Sequence, residues 1–192
     1  MIQTHNRSTK QLSYMAMLFS LLIVSAKIFI PLPLLDYLSL QIVVVYLLFP
    51  ILGLKNGLLV SISYFILGVL GLPIFAAGGG LAYILRPSFG FLLAFAVFPL
   101  IQFQMKKSLN DKGTFQSTLL VNYASLIWIH VIGISYKYFI LTTSLEDPTP
   151  LFAVLTISSL IDFSCDLLLV TFATSLELRL KKVALKIAIV HK

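Results

Sequence analysis

Six apolar runs, each close to the length that crosses a bilayer, restrict this chain more than any other feature: Leu12–Ile30, Leu38–Leu54, Gly57–Leu72, Ser88–Met105, Phe115–Leu141 and Leu151–Leu178. A helix of about 20 residues spans a hydrocarbon core of about 30 Å. Charged residues are only 11% of the 192, and residues of the set AVILMFWYC are 59%. Soluble domains carry about 25% charged residues, so a surface with so few must face lipid rather than water. The alternation of polar and apolar residues that marks a membrane β-barrel is absent. The second and third runs are short and separated only by Lys55-Asn56, which predicts a tight helical hairpin. Pro50 and Pro99 fall inside helices, where neighbouring helices can satisfy the freed carbonyls. The expected fold is an all-α integral membrane protein, a six-transmembrane-helix bundle forming one membrane domain over residues 1–192.

Charge placement orients the bundle. The net charge is +7, which in a soluble protein would suggest a nucleic-acid partner. Here the basic residues sit between apolar runs, and no nucleic acid is expected. With an even number of spans both termini share a side. That side carries Arg7, Lys10, Lys55, Lys106, Lys107, Lys112, Arg179, Lys181, Lys182, Lys186 and Lys192, eleven of the fourteen basic residues. Lys27, Arg86 and Lys137 fall to the other side, with Asp36 and the Glu146-Asp147 pair. Positive residues stay inside, so both termini are expected in the cytoplasm of a prokaryotic plasma-membrane protein. Val24-Ser25-Ala26 offers small residues at a signal-cleavage spacing, but removing the first run would leave five spans and move a basic end outside. An uncleaved first span is the expectation.

The outer connection Pro73–Pro87 is long and glycine-rich yet apolar. Solvated loops are polar, so this one is expected to fold against the bundle, with Gly78, Gly79 and Gly80 allowing close backbone approach.

Polar groups within spans mark pathways or sites. Asp162 and Asp166 form an i,i+4 pair on one face of the sixth span. Counted from Leu151 at 1.5 Å per residue, they lie about 16 Å and about 22 Å down the helix. Asn122 on the fifth span reaches a comparable depth, and Gln41, Lys27, Arg86 and Lys137 lie nearer the outer surface. This pattern suggests a cavity open to the outside and closed below. Lys27 is expected to snorkel to the headgroups, and His130 to be a packed or carbonyl-bonded residue.

Enzyme chemistry finds little support. Gly53-Leu-Lys-Asn-Gly57 lacks the order of a phosphate-binding loop, and no H-E-x-x-H occurs. Three scattered histidines and the single Cys165 build neither a zinc site nor a disulfide, so neither metal nor cofactor is expected. The aspartate pair lies on one helix face, whereas a catalytic dyad needs facing carboxylates that share a proton. A membrane enzyme acting on a lipid-like substrate and a stand-alone facilitator remain the alternatives.

Several stretches carry a resemblance. Leu40-Gln41, Leu52-Gly-Leu-Lys-Asn-Gly57, Leu67-Gly-Val-Leu-Gly-Leu-Pro-Ile-Phe-Ala-Ala-Gly-Gly-Gly80 and Arg86-Pro-Ser-Phe-Gly-Phe91 together resemble the BioY family, the biotin-binding S components of energy-coupling-factor vitamin transporters. The family's run Gly-Leu-Pro-Val-Phe-Ala-Gly-Gly is followed by Gly-Pro-Thr-Gly-Gly-Tyr, and about a quarter of the chain takes part. Two departures stand out. Arg86, Ser88 and Phe89 replace Gly, Thr and Gly of the second motif. In the late motif, similar to Pro-Phe-x-Pro-Gly-Asp-x-x-Lys, Asp166 is kept while Leu169 stands where the Lys belongs.

The resemblance implies a non-enzymatic protein that captures biotin from outside and delivers it through an ATP-driven complex with a transmembrane coupling subunit and two ATPases. Biotin offers two ureido N–H donors, a carbonyl, an apolar ring and chain, and a carboxylate. On this reading the ligand-binding residues are Gln41, Gly79, Gly80, Tyr83, Arg86, Asn122, Asp162 and Asp166. The aspartates accept from the ureido, Asn122 donates and accepts, and Tyr83 with the loop glycines forms a lid. Arg86 or Lys137 is the cation for the ligand's carboxylate. Ala16 and Ser20, at small-xxx-small spacing on the first span, are the expected docking face for the coupling subunit.

Overall fold

The structure, a computed structural model, describes residues 2–31, 37–144 and 159–190, with side chains over 9–30, 39–143 and 159–182. The expected outer acidic loops at Asp36 and Glu146-Asp147, and the start of the last run at Leu151, lie outside the described residues. The elements in order are α1 (Ile2–Lys27), β1 (Phe29–Pro31), β2 (Tyr37–Ser39), α2 (Gln41–Val69), a 3-10 turn (Leu81–Leu85), α3 (Phe89–Ser108), α4 (Phe115–Ser144) and α5 (Ser159–Val190). Five helices among the described residues are long and apolar enough to cross a membrane.

Two features depart from the pattern of apolar runs. The end of the first run and the start of the second are not helical. Phe29, Ile30 and Pro31 pair antiparallel with Ser39, Leu38 and Tyr37 as a short ribbon. Pro31 and Pro33 cannot continue a helix, which ends α1 at Lys27. The second and third runs form one 29-residue element, and its break is at Gly53 rather than at Lys55-Asn56. Gly53 takes φ 76°, a left-handed conformation that an L side chain resists, while an added Cβ would meet nothing within 4 Å. Backbone freedom, not space, requires glycine here.

The break folds the element back on itself. A Cβ at Gly57 would lie 3.3 Å from the Leu48 carbonyl oxygen. Along a straight helix those residues would be about 14 Å apart. α2 therefore has two limbs, 41–52 and 54–69, packed against each other.

The bundle is apolar outside as well as inside, as a chain solvated by lipid must be. Leu12, Leu120, Leu168 and Phe172 are exposed, while Leu22, Leu48, Phe98, Leu126 and Val170 form the core. The buried polar set is unusually rich: Gln41, Gln102, Asn122, His130, Lys137, Asp162, Thr174 and Glu177 all face inward. α3 and α4 meet closely at Gly90, where an added Cβ would stand 2.9 Å from the Gly133 carbonyl oxygen.

Candidate functional site

The inward polar residues fall into three groups along the bundle. The first is the connection between α2 and α3, which packs on the helix ends as its apolar sequence predicts. Phe75 is fully buried, and its ring meets Tyr64 at 5.4 Å and Tyr83 at 5.0 Å between centroids. Tyr83 continues to Phe89, and Phe89 to Tyr136, so one aromatic row links α2, the connection, α3 and α4. Three side chains tie the connection's carbonyls. Lys27 Nζ donates to Phe75, Tyr64 donates to Ile74 at 3.0 Å, and Tyr136 donates to Ile84. Lys27 thus holds the loop instead of snorkelling to the headgroups, because the Phe75 carbonyl, which also accepts from the Gly78 N–H at 3.2 Å, has a second lone pair within its reach.

The glycines of this connection have separate reasons. Gly78 and Gly80 take φ 122° and 97°. Gly80 N–H donates to Gly68 O at 2.7 Å, and a Cβ at Gly79 would stand 2.1 Å from the Leu72 carbonyl oxygen. Tyr83 is buried at 2% exposure, and the exposed Arg86 lies over its ring at 5.2 Å, a cation–π contact at the outer rim.

The second group lies on α4, α5 and the start of α2. Asp162 and Asp166 point inward from α5, Asp162 buried and Asp166 nearly so. His130 of α4 faces Asp166, with Nε2 3.6 Å from Oδ2. Tyr46 of α2 is within electrostatic reach of Asp166. Gln41, the first residue of α2, is 2% exposed, and its Nε2 has no hydrogen-bond partner. Lys137 is fully buried two turns along α4 from His130, so it too does not snorkel. α4 and α5 run antiparallel, which puts Lys137 and Asp162 on the same side of the His130–Asp166 level. Beside His130 a laterally open cleft of about 450 Å³ separates α4 and α5, with Ile127, Val131 and Phe163 in its walls.

Asn122 belongs to the third group. Its Nδ2 donates to Thr174 Oγ1 at 2.9 Å and to Glu177 Oε2 at 3.3 Å, and its Oδ1 accepts from Gln102 Nε2 at 2.9 Å. Its backbone carbonyl accepts from the Tyr46 hydroxyl at 3.0 Å. The structure thus joins Asn122 to Gln102 and Glu177 and not to the aspartates: Asn122 is eight residues from His130 on α4, about 12 Å by helical rise, and so is level with Thr174 on α5 and not with Asp166. Glu177, 1% exposed, also meets Lys106 at 2.5 Å and Lys181 at 2.7 Å. Hydropathy passes over Glu177 and Gln102 because each lies near the end of an apolar run. The signal is a long-range one, a carboxylate and amides from three helices at one level.

Between α3 and α4, Asp111 closes the turn beyond this network. Burial by itself would raise its carboxyl, but the Gly113 N–H, the Ser117 hydroxyl, Lys106 and the Thr118 hydroxyl together hold it below the ordinary aspartate value. On α1, Ala16 and Ser20 are both exposed, on the side away from the buried Leu18 and Leu22.

Similarity to known proteins agrees with this architecture. Residues 2–186 match the BioY family. The chain is 38% identical over 132 residues to a protein of Lysinibacillus sphaericus described as "Probable biotin transporter BioY", covering 69% of this chain and 66% of that one. It is 40% identical over 92 residues to a protein of the same description from Pyrococcus horikoshii, covering 46% of this chain and 54% of that one. The matched part thus spans just under two thirds of the first relative's length and about half of the second's. Among solved structures, the fold is similar to the S-component for biotin from an ECF-type ABC transporter, with TM-score 0.75, 23% identity and coverage of 92% of this chain and 93% of that one. It is also similar to the S component of a bacterial ECF transporter, with TM-score 0.59, 20% identity and coverage of 94% and 98%.

Proposed function

The chain belongs to the BioY family, and on that premise we propose that it captures biotin from outside the cell and hands it to an energy-coupling-factor module. It is a transport component and not an enzyme. A transmembrane coupling subunit and two ATPases supply the energised step that this chain lacks.

The observation that carries the ligand assignment is the second polar group: two inward carboxylates one helical turn apart, and a buried amide nitrogen, Gln41 Nε2, with no partner. A buried donor left unpaired costs about 1–3 kcal/mol, a cost that a ligand acceptor removes. Gln41 donates to the ureido carbonyl, and Asp162 and Asp166 accept from the ureido N–H groups. The connection over residues 73–87 closes the outer end, with Tyr83 and the aromatic row as its apolar face and Gly79 and Gly80 at its closest approach to α2. Arg86 at the rim or Lys137 within pairs with the biotin carboxylate in place of the lysine that Leu169 displaces. Asn122, with its amide already engaged, supports the floor of the site through Tyr46 and Glu177.

Each limb of α2 counts as a crossing, which makes six in all and returns both termini to one side. The basic residues of that side make it the cytoplasmic face of the plasma membrane. Ala16 and Ser20, exposed on α1, form the face that docks on the coupling subunit. Ala16→Trp is expected to abolish uptake in cells while leaving biotin binding of the purified chain intact; loss of binding as well would return this face to the bundle interior.

The direct test is a thermal shift of the detergent-purified protein with a panel of vitamins. Biotin alone is expected to raise Tm. An equal rise with an unrelated vitamin, or none with biotin, overturns the ligand.

A further inference from the structure

We propose that His130 and Asp166 hold one proton between them and that this proton makes ligand affinity pH-dependent, with His130 acting as a positioning residue for Asp166. The pH dependence rests on the reading of this site as the biotin site; the shared proton does not. His130 Nδ1 lies 3.2 Å from the Leu126 carbonyl oxygen one turn back on α4. A carbonyl only accepts, so Nδ1 carries a hydrogen and donates. In a neutral ring Nε2 is then a bare acceptor. It is buried, has no hydrogen-bond partner and stands 3.6 Å from Asp166 Oδ2.

An ionised carboxylate facing a bare imidazole nitrogen puts two acceptors against each other where water is scarce. One proton removes the conflict, whether it rests on nitrogen or on oxygen, because either form places a hydrogen between the two atoms. The ring cannot turn away cheaply. It is wedged edge-to-face between Phe91 at 5.6 Å and Phe163 at 4.9 Å. The imidazole thereby fixes the direction of one Asp166 oxygen and leaves the other for a ligand.

The groups facing the pair set the sign. Asp162 lies one turn away on α5, Lys137 two turns from His130 on α4, and Tyr46 faces Asp166 from α2. Loss of the proton at higher pH adds a negative charge beside Asp162, in a site that must admit a ligand bearing a carboxylate. Affinity therefore falls as pH rises through the titration of the pair. The linkage of one proton permits at most about a tenfold loss per pH unit.

The test uses the full chain in nanodiscs. Biotin is titrated calorimetrically from acid to mildly alkaline pH against wild type and His130→Gln. Glutamine donates an N–H to the ionised Asp166 and so removes the need for a shared proton, and its profile is expected to vary less than about twofold while wild type loses affinity with rising pH. Equal slopes in the two proteins, or a flat wild-type profile, overturn the proposed pH dependence. A second measurement needs no ligand: the 15N titration of the His130 ring in wild type and Asp166→Asn. The Nε2 titration is expected to move when Asp166 is replaced, and an unmoved one overturns the shared proton. A coupled titration in a protein that binds no biotin at any pH keeps the shared proton and overturns the ligand assignment instead.

Discussion

The second and third polar groups of the bundle, around Asp166 and around Glu177, differ in how completely they satisfy themselves. Around Glu177, Asn122 uses its whole amide, and the carboxylate meets Lys106, Lys181 and Asn122, although Gln102 Oε1 is buried without a hydrogen-bond partner. At Asp166 the contact to His130 is longer, 3.6 Å, and two buried nitrogens, His130 Nε2 beside it and Gln41 Nε2 at the start of α2, have no hydrogen-bond partner. Polar groups that complete each other fasten helices together. Groups held apart by the same scaffold are available to something else. The difference teaches that burial alone does not identify a binding residue: Asn122 and Asp166 both lie inside the bundle, yet only one has capacity to spare.

The comparison predicts that the lower group breaks stability and the upper one breaks binding. Glu177→Ala carries the largest effect. It leaves Lys106, whose side chain is 13% exposed, with the longer contact to Asp111 at 3.7 Å in place of the 2.5 Å pair, and a broken buried pair costs about 3–5 kcal/mol. Tm is expected to fall steeply, with biotin affinity of the folded fraction within about threefold of wild type. A large affinity loss at unchanged Tm would merge the two groups. Asp166→Ala is next. Losing a hydrogen bond to a charged group costs about 1.5–3 kcal/mol, which weakens biotin about 10- to 150-fold. Asp166→Asn, which keeps one acceptor oxygen, should lose less. Calorimetry alongside ligand-free melting separates the readings, because a structural aspartate would lower Tm more than affinity. Gln41→Met is the smallest and sharpest. It removes a donor that has no partner in the free protein, so ligand-free Tm should hold or rise while affinity drops about 2- to 13-fold. A fall in ligand-free Tm would show that Gln41 serves the fold.

Much of this was legible from residues. The apolar runs predict the helices, and the composition of residues 73–87 predicts a connection that packs on the bundle, as Phe75 and Tyr83 do. The i,i+4 spacing puts Asp162 and Asp166 on one face of α5. What the sequence conceals is helix rotation and partnership across the bundle. Counting residues gives Asn122 the depth of the aspartates, but it is level with Thr174, two turns further along α5, so Gln102 and Glu177 are not legible as its partners. His130 has no neighbour in sequence that announces Asp166. Hydropathy makes Lys27 a snorkelling residue because it carries no information on which loop carbonyl lies within its reach. The break in α2 was misplaced by two residues for a similar reason. Lys55-Asn56 is the polar spot, but the backbone reverses where a left-handed dihedral is free, at Gly53.

That reversal has a consequence for how the chain enters a membrane. The limbs 41–52 and 54–69 are each shorter than the about 20 residues that a lone span requires, so on the six-crossing topology proposed above they enter as one hairpin. Were the 29-residue element straight, it would count as one crossing instead of two, and everything after it would be delivered with the opposite sidedness. Asp162, Asp166 and Gln41 would then no longer open toward the same compartment, nor would the basic ends share a face. On that topology the left-handed dihedral at one glycine sets the sidedness of more than half the chain during biogenesis, before any ligand is met.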